Sequence, residues 1–135
     1  MSEIRSYRES HSDPESASLF VFEYSKLPWQ PLRMYLLQDF VDGTTRGNHA
    51  HKTLSQIIVM VSGTISLVIY RGEESFTYNL SRESGEILLS PGTWRVFSNA
   101  SPDAVVLVLA DSPYDESDYL RNWEDYLFWF NQNNE

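Results

Sequence analysis

Between residues 18 and 110 the chain is a succession of eight short segments rich in β-branched, aromatic and other apolar residues. The pairs Asp-Gly, Ser-Gly, Arg-Gly and Pro-Gly lie in the turns between them, and no segment shows a helical period. Many short strands with such turns are typical of an all-β sandwich or barrel, which is the fold class we predict. The segments are SLFVFEY, LRMYLLQ, SQIIVMV, TISLVIY, SFTYNL, EILLS, TWRVFS and AVVLVLA.

The C-terminal part has a different pattern, because its large apolar residues fall at helical spacings. Acidic and capping residues at positions 115–118 stand where the start of a helix favours negative charge. We therefore expect one amphipathic C-terminal helix that packs on the barrel or on a second subunit, with Arg121 as a solvated charge on it. The apolar residues of this pattern are Tyr119, Leu120, Trp123, Leu127 and Phe130.

The chain has 135 residues, the usual size of one domain. We divide it into a polar N-terminal leader, residues 1–17, and a single domain, residues 18–135, that includes the helix. The formal net charge of −9 disfavours nucleic acid and anionic membranes as partners, because both attract clusters of Lys and Arg. The sequence has no cysteine and shows neither a signal peptide nor a membrane anchor, so we expect a cytoplasmic protein.

The segment RGNHAHK holds two of the three histidines, His49 and His51, one residue apart. Residues i and i+2 of a strand point to the same face, so both imidazoles should project together, with Ala50 on the other side. A single histidine in a strand is most often a structural hydrogen-bonding residue. Two on one face favour a functional site, in which they are metal ligands or proton carriers.

The two histidines belong to a longer pattern, G-x5-H-x-H-x4-Q-x6-G, which runs from Gly43 to Gly63. This pattern resembles the first motif of the cupin barrels, with Gln56 where metal-binding cupins have a glutamate. The later segment SPGTWRVFSN resembles the second cupin motif, with Arg95 in place of its histidine. The resemblance implies a cupin barrel, a double-stranded β-helix of the jelly-roll type, followed by the one C-terminal amphipathic helix.

Arg95 disfavours a metal ion in this barrel, because its guanidinium stays charged near neutral pH and cannot become a ligand. Two unit charges about 4 Å apart repel by roughly 4 kcal/mol at an effective dielectric of about 20, and a divalent ion doubles that cost. We therefore predict no metal and no cofactor. The imidazoles are then expected to act as acids and bases, since their ordinary pKa is about 6.5.

With the ending SPYDESDYLRNWEDYLFWF, these motifs are similar to those of the cupin-type sugar-nucleotide 3,4-ketoisomerases, the WxcM-like proteins that act on TDP-4-keto-6-deoxyglucose. The resemblance extends from about Leu19 to Phe130. It implies a metal-independent isomerase that removes the hydrogen from carbon 3 of a TDP-linked 4-keto-6-deoxyhexose, forms an enediolate and reprotonates carbon 4. It also implies a role in deoxy-amino-sugar biosynthesis for a surface polysaccharide such as lipopolysaccharide.

The same resemblance assigns roles to individual side chains. His49, His51 and Tyr35 match the residues that the family uses for proton transfer, although Tyr35 could equally be an ordinary half-buried strand aromatic. Arginines suit the diphosphate, because their planar fork pairs two oxygens at once. An aromatic such as Tyr119 or Trp94 could stack on thymine or pack in the core. The residues assigned to substrate binding are Arg33, Arg46, Arg95 and Gln56.

Two positions differ from the family pattern, since Ser16 stands where its members usually have arginine and Arg95 where they commonly have histidine. These differences leave open a non-catalytic cupin that binds a sugar nucleotide. A keto-sugar-nucleotide epimerase also stays open, because it begins with the same removal of a proton next to a carbonyl. The family also implies a homodimer in which N-terminal strands are exchanged between subunits. The apolar face of the last helix is large for the surface of a monomer and suits such an interface.

Overall fold

The computed structural model describes residues 3–134, which form twelve strands, two 3-10 helices and one α-helix. The 3-10 helices are Tyr24–Lys26 and Glu116–Asp118, and the α-helix is α1 (Trp123–Asn133). The strands are β1 (Glu3–Arg5), β2 (Glu9–Ser12), β3 (Ser18–Val21), β4 (Arg33–Leu37), β5 (Arg46–His51), β6 (Gln56–Ser62), β7 (Ile65–Arg71), β8 (Glu74–Leu80), β9 (Glu86–Leu89), β10 (Trp94–Ser98), β11 (Val105–Ala110) and β12 (Tyr119–Leu120).

Ten strands form two five-stranded sheets in which all neighbours are antiparallel. The first sheet has the order β1-β9-β6-β11-β4 and the second the order β12-β5-β10-β7-β8, while β2 and β3 form a separate hairpin. Most neighbours in a sheet are distant in sequence, so the chain passes repeatedly from one sheet to the other. The predicted all-β fold with one C-terminal helix is confirmed.

Buried and partly exposed residues alternate along the strands, and the buried ones form the core between the sheets. On β7, Ile65, Leu67 and Ile69 are buried, while Ser66 and Val68 between them are partly exposed. The buried face packs against inward-pointing residues of β6, β9, β10 and β11. Burial of each large aliphatic side chain stabilises the fold by about 1.5–3 kcal/mol, so this shared face is the main contribution to holding the two sheets together.

The described part of the polar segment 1–17 is attached to the barrel. Strand β1 pairs with β9, and β2 pairs with β3. The Nε atom of Arg8 lies 3.1 Å from Oε2 of Glu86 in a buried ion pair, and Oε1 of Glu86 accepts hydrogen bonds from the amides of Tyr7 and Arg8. The division into a leader and a single domain stays a prediction, and residues 1 and 2 lie outside the described part.

The C-terminal helix begins later than its apolar pattern predicted. Tyr119 and Leu120 form β12, which pairs with β5. The side chain of Asn122 accepts a hydrogen bond from the amide of Asp125 and caps α1, as short polar residues commonly do at a helix start. The physical reason for the difference is that strand pairing of Tyr119 and Leu120 is a tertiary contact, which helical spacing alone does not reveal.

Helix α1 packs on the second sheet of its own barrel, mainly through Tyr126. This residue is fully buried, and its hydroxyl accepts a hydrogen bond from the amide of Gly72 and lies 2.8 Å from the carbonyl oxygen of Gly92. Trp94 and Trp123 complete the aromatic contact. Much of the apolar helix face is therefore covered within the chain.

Within residues 3–134, no helix has the length and apolar character needed to cross a bilayer.

Candidate active site

A cavity of about 520 Å³ lies between the two sheets. Six of the seven side chains that the sequence assigned to a site line its wall. The seventh, His51, is fully buried behind the wall, with its ring centroid 4.9 Å from that of His49 and 4.3 Å from that of Tyr119. The lining six are Arg33 and Tyr35 from β4, Arg46 and His49 from β5, Gln56 from β6 and Arg95 from β10.

A bulge in β5 sets the position of the histidines. Gly47 and Asn48 have the left-handed φ values 92° and 55°, and the pairing of β5 with β10 shifts register opposite them. A Cβ atom at Gly47 would lie 2.9 Å from the carbonyl oxygen of Arg95, so glycine is required there. Bulges often re-aim a side chain beside an active site. Beyond this bulge, His49 and His51 lie on one side of the strand, as their spacing predicts.

The imidazole of His49 presents an unprotonated nitrogen to the site. Its Nδ1 lies 3.0 Å from the carbonyl oxygen of Gly47, and a carbonyl only accepts, so Nδ1 carries the hydrogen. Its Nε2 is buried and has no hydrogen-bond partner among residues 3–134. Burial, and secondly the charge of Arg95, lowers the pKa of His49 to about 3. The ring is therefore neutral near pH 7, with a free electron pair on Nε2.

His51 has the same arrangement with a different acceptor. Its Nδ1 lies 3.3 Å from Oδ2 of Asp118, and its Nε2 is buried without a hydrogen-bond partner in the described chain. Burial first, and then the charge of Arg95, lowers the pKa of His51 to about 3. Two neutral imidazoles with free Nε2 atoms thus stand edge to face beside the cavity, which is a suitable arrangement for moving protons.

Arg95, Gln56 and Tyr35 form a chain of hydrogen bonds across the barrel. The guanidinium of Arg95 donates to the side-chain oxygen of Gln56, and Nε2 of Gln56 donates to the hydroxyl of Tyr35 at 3.1 Å. Arg95 also donates to the carbonyl of Thr93 at 3.1 Å. Burial lowers the pKa of Arg95 to about 10 and raises the pKa of Tyr35, so near pH 7 the guanidinium is charged and the phenol is protonated.

Arg33 and Arg46 add positive charge to the wall. The guanidinium of Arg33 lies 4.9 Å from the ring centroid of Tyr35 and 5.2 Å from that of Tyr114. Its Nη1 is buried and has no hydrogen-bond partner within residues 3–134. Arg46 is exposed at the start of β5 and also lines the cavity. A cavity with these cations favours an anionic ligand, although the chain as a whole is acidic.

Two site residues were not identified from the sequence, namely Asp118 and Arg121, whereas Tyr119 was named as an aromatic that could stack on thymine or pack in the core. Asp118 was interpreted as a charge at a helix start, and Arg121 as a solvated charge on the helix. The structure instead places Tyr119 and Arg121 on the cavity wall, with the guanidinium 4.1 Å from the centroid of the Tyr119 ring. The sequence signal was the motif YDESDYLR, whose residues were quoted for the family but assigned to the C-terminal helix instead of the site.

The donor set beside the cavity suits protons better than a metal ion. In the part of the chain that the structure describes, no three His, Cys, Asp or Glu side chains are grouped so that they could hold a metal. Arg95 and Gln56 occupy the positions at which the metal-binding cupins have ligands, and they hydrogen-bond each other. A cation entering here would face the charge of Arg95, so the prediction of a metal-free site still rests on this residue.

Residues 2–131 match the family FdtA, described as WxcM-like, C-terminal. The chain is 28% identical over 114 residues to the TDP-4-oxo-6-deoxy-alpha-D-glucose-3,4-oxoisomerase of Aneurinibacillus thermoaerophilus, covering 84% of this chain and 82% of that protein. A similar solved structure is QdtA, a sugar 3,4-ketoisomerase from Thermoanaerobacterium thermosaccharolyticum in complex with TDP, with a TM-score of 0.92 and 25% identity over 99% of this chain and 97% of that one. The WlaRB TDP-quinovose 3,4-ketoisomerase from Campylobacter jejuni has a TM-score of 0.84 and 30% identity over 94% and 97%. The predicted cupin barrel is confirmed.

Proposed function

Because this chain belongs to the WxcM-like, C-terminal family named FdtA, we propose that it is a sugar-nucleotide 3,4-ketoisomerase. Its reaction moves the keto group of a TDP-linked 4-keto-6-deoxyhexose from carbon 4 to carbon 3. The observation that carries this proposal is the imidazole of His49, which lines a cavity together with Arg95 and whose unprotonated Nε2 has no hydrogen-bond partner among residues 3–134. The relatives named above are ketoisomerases of TDP-linked sugars, which supports the same reaction.

The first chemical step needs a base next to a carbonyl. The hydrogen on carbon 3 is adjacent to the keto group at carbon 4, so its removal gives an enediolate rather than an isolated carbanion. We assign this removal to Nε2 of His49. The electron pair of the C–H bond forms the double bond between carbons 3 and 4, and negative charge moves to the oxygen on carbon 4. The guanidinium of Arg95 stabilises that charge in a water-poor site.

In the second step carbon 4 takes up a proton, the hydroxyl on carbon 3 loses one and the oxygen on carbon 4 gains one, which leaves a keto group at carbon 3 and a hydroxyl at carbon 4. The overall reaction is an isomerisation, so no oxidant, reductant or metal is needed. His51 and the Tyr35 hydroxyl are the assigned proton carriers. Support comes from the 4.9 Å separation of the two imidazole rings and from the hydrogen bond that fixes Tyr35 to Gln56.

We assign the diphosphate to the cationic part of the wall, at Arg33 and Arg46. The unpartnered Nη1 of Arg33 is a donor that needs an acceptor, and a phosphate oxygen supplies one with opposite charge. Solved relatives hold TDP in one case and TDP-4-keto-6-deoxyglucose in another. We therefore propose a TDP-linked keto sugar as the ligand of this chain. The 3-keto product is a suitable substrate for an aminotransferase. We therefore place the reaction in the cytoplasm, in the biosynthesis of a deoxy-amino sugar for a surface polysaccharide.

We further propose a homodimer. The apolar face of α1 packs on the barrel of its own chain, so β4 offers the larger free apolar surface for a second copy. The outward-facing residues Leu32, Met34 and Leu36 are 61%, 64% and 55% exposed, and β4 is the edge strand of its sheet. The hairpin of β2 and β3, which pairs with neither sheet, is available for exchange with a second copy. A second copy would cover such a face.

The proposed reaction is tested by incubating the protein with TDP-4-keto-6-deoxyglucose in deuterium oxide. Proton NMR should show deuterium at carbon 4 of a 3-keto product. The variants His49→Asn and His51→Asn should lose turnover, whereas His11→Asn should keep it, because His11 is exposed on β2 and does not line the cavity. An epimerase would leave the keto group at carbon 4, and a binding protein would retain TDP without any turnover. Either result would overturn the proposal.

A further inference from the structure

The carboxylate of Asp118 is held beside His51 by a set of backbone and hydroxyl donors. Its Oδ1 accepts hydrogen bonds from the amide of Thr53 at 2.8 Å and from the hydroxyl of Thr53 at 2.7 Å. Its Oδ2 accepts one from the amide of Leu54 at 3.2 Å and lies 3.3 Å from Nδ1 of His51. Because three of these four donors do not involve the histidine, the fold fixes the carboxylate independently of the imidazole.

Strand β12 brings this carboxylate to the histidine. Tyr119 pairs with His51 across β12 and β5, and the amide of Lys52 donates to the carbonyl of Asp118 at 3.0 Å. Two consecutive residues therefore serve one imidazole. The ring of Tyr119, which lines the cavity, packs on the ring of His51, while the carboxylate of Asp118 faces Nδ1 of that ring. The contact joins residues that are 67 positions apart in the sequence, so it is built by the barrel and not by a local turn.

We propose that Asp118 is a positioning residue that holds His51 in the tautomer with hydrogen on Nδ1, so that Nε2 is a free base for proton transfer. An ionised carboxylate has no hydrogen to donate, so the hydrogen between Asp118 and His51 must belong to the imidazole. A carboxylate in this position also orients the ring and stabilises the imidazolium that forms when Nε2 takes a proton. The catalytic part of this inference rests on the proposed ketoisomerase function, whereas the tautomer does not.

The two histidines then differ in what holds them. Nδ1 of His49 faces the carbonyl of Gly47, which is a neutral acceptor, whereas Nδ1 of His51 faces the charged carboxylate of Asp118. A charged acceptor strengthens the hydrogen bond and favours the protonated ring more than a carbonyl does. His51 is therefore better suited to carry a proton between oxygen atoms, and His49, which lines the cavity, to take one from carbon.

The variant Asp118→Asn tests this directly. The amide oxygen can still accept from Thr53, which leaves the NH₂ group in the place of Oδ2 and removes the hydrogen bond from the amide of Leu54. That group donates to Nδ1 of His51, so the imidazole hydrogen moves to Nε2 and the base is lost. We expect kcat to fall by about 100-fold or more with little change in KM for the sugar nucleotide. The matched control is Asp111→Asn, because Asp111 also accepts a backbone hydrogen bond, from Ser55 at 3.1 Å, and contacts no histidine.

Nitrogen-15 NMR of the full chain measures the tautomer of His51. A merely structural role of Asp118 would not affect this tautomer. In the wild-type protein the two-bond couplings of His51, assigned with His51→Asn, should show hydrogen on Nδ1. In Asp118→Asn they should show hydrogen on Nε2, and in Asp111→Asn the wild-type pattern should remain. A wild-type His51 with hydrogen on Nε2 overturns the proposal even where Asp118→Asn fails to fold. A loss of kcat with an unchanged tautomer overturns it too.

These outcomes separate this inference from the proposed reaction. The NMR result needs no turnover, so it stands if the substrate proves to be different. A wild-type protein that shows the Nδ1–H tautomer but does not isomerise TDP-4-keto-6-deoxyglucose would overturn the proposed function and leave the role of Asp118 in orienting His51 intact. If the wild-type protein isomerises the sugar and the Asp118→Asn variant has an equal kcat, the proposed function stands and the role of Asp118 is overturned.

Discussion

The guanidinium of Arg95 donates a hydrogen bond to the side-chain oxygen of Gln56 in the interior of the barrel, and Gln56 in turn donates to the hydroxyl of Tyr35. Arg95 is 2% exposed and Gln56 is 1% exposed, so this chain of bonds is shielded from solvent. It fixes a positive charge beside two neutral imidazoles at the positions where related metal-binding barrels have a histidine and a glutamate. The site therefore keeps a permanent cation that can stabilise negative charge on a bound ligand.

Replacement of both residues should convert the site into a metal site. In the double variant Gln56→Glu with Arg95→His, the site offers three histidines and one carboxylate, and the repulsion of roughly 8 kcal/mol between a guanidinium and a divalent ion about 4 Å away is removed. We expect saturable Zn²⁺ or Ni²⁺ binding by calorimetry in the double variant and none in the wild type. The single variant Arg95→His is the control and should bind more weakly, since it lacks the carboxylate. Equal metal affinity in wild type and double variant would contradict this.

The features that could be predicted from the sequence are those with a local cause. Alternating burial along β7 and the spacing of His49 and His51 both follow from the period of two in a strand. The contact between Asp118 and His51 has no local cause, because it depends on the pairing of β12 with β5. The same pairing moved the helix start to Trp123, after Tyr119 and Leu120 had been counted as helical. The grouping of side chains from β4, β5, β6 and β10 around one cavity could thus be predicted from the motifs, whereas the contribution of residues 118–121 could not.

Removal of the Tyr35 hydroxyl should slow chemistry more than binding. Burial raises the pKa of Tyr35, so the phenol stays protonated near neutral pH and can relay a proton that phenylalanine cannot. We expect Tyr35→Phe to lower kcat by about 100-fold while the Kd for TDP changes little. The measurements are a coupled aminotransferase assay and calorimetry. Tyr78→Phe is the control, because Tyr78 is a partly buried strand tyrosine outside the cavity. A Tyr35→Phe variant with unchanged kcat would leave Tyr35 as an ordinary strand aromatic.

Arg33 should contribute to diphosphate binding. Arg33 lines the cavity, its Nη1 has no hydrogen-bond partner within residues 3–134, and a charge-assisted hydrogen bond is worth about 1.5–3 kcal/mol. We therefore expect Arg33→Gln to weaken TDP binding by roughly 10-fold to 100-fold in calorimetry. Arg33→Lys should retain more of the TDP affinity than Arg33→Gln but less than the wild type, because lysine lacks the planar fork. Arg82→Gln, which removes an arginine that stacks on Phe20 outside the cavity, should bind TDP as the wild type does. A loss of equal size in Arg82→Gln would argue against a local contact.

The two buried imidazoles should make stability depend on pH. The pKa of each is about 3 in the folded chain, and the ordinary value of about 6.5 applies in the unfolded chain. As pH falls below about 6.5, the unfolded state binds protons that the folded state does not, so the free energy of unfolding falls. Above that pH these two groups contribute no pH dependence.

Each histidine contributes a slope of up to about 1.4 kcal/mol per pH unit between these two pKa values, or about 2.7 for the pair. Urea unfolding at several pH values between 4 and 7 measures it. The double variant His49→Asn with His51→Asn should lose this part of the slope, and His11→Asn should retain it, because His11 is exposed. Equal slopes in wild type and double variant would show that the folded imidazoles titrate normally.

The outward face of β4 should hold two subunits together. Leu32, Met34 and Leu36 alternate with the inward-facing residues of β4 and are exposed in the single chain, so a charge placed among them would have to be buried without a partner in a dimer. We expect Met34→Lys to shift sedimentation from a dimer toward a monomer at micromolar concentration. Phe128→Lys is the matched control, because Phe128 is 69% exposed on α1, which packs on the other sheet. A dimer that survives Met34→Lys but not Phe128→Lys would place the interface at the helix instead, and a wild-type monomer at all concentrations would remove it altogether.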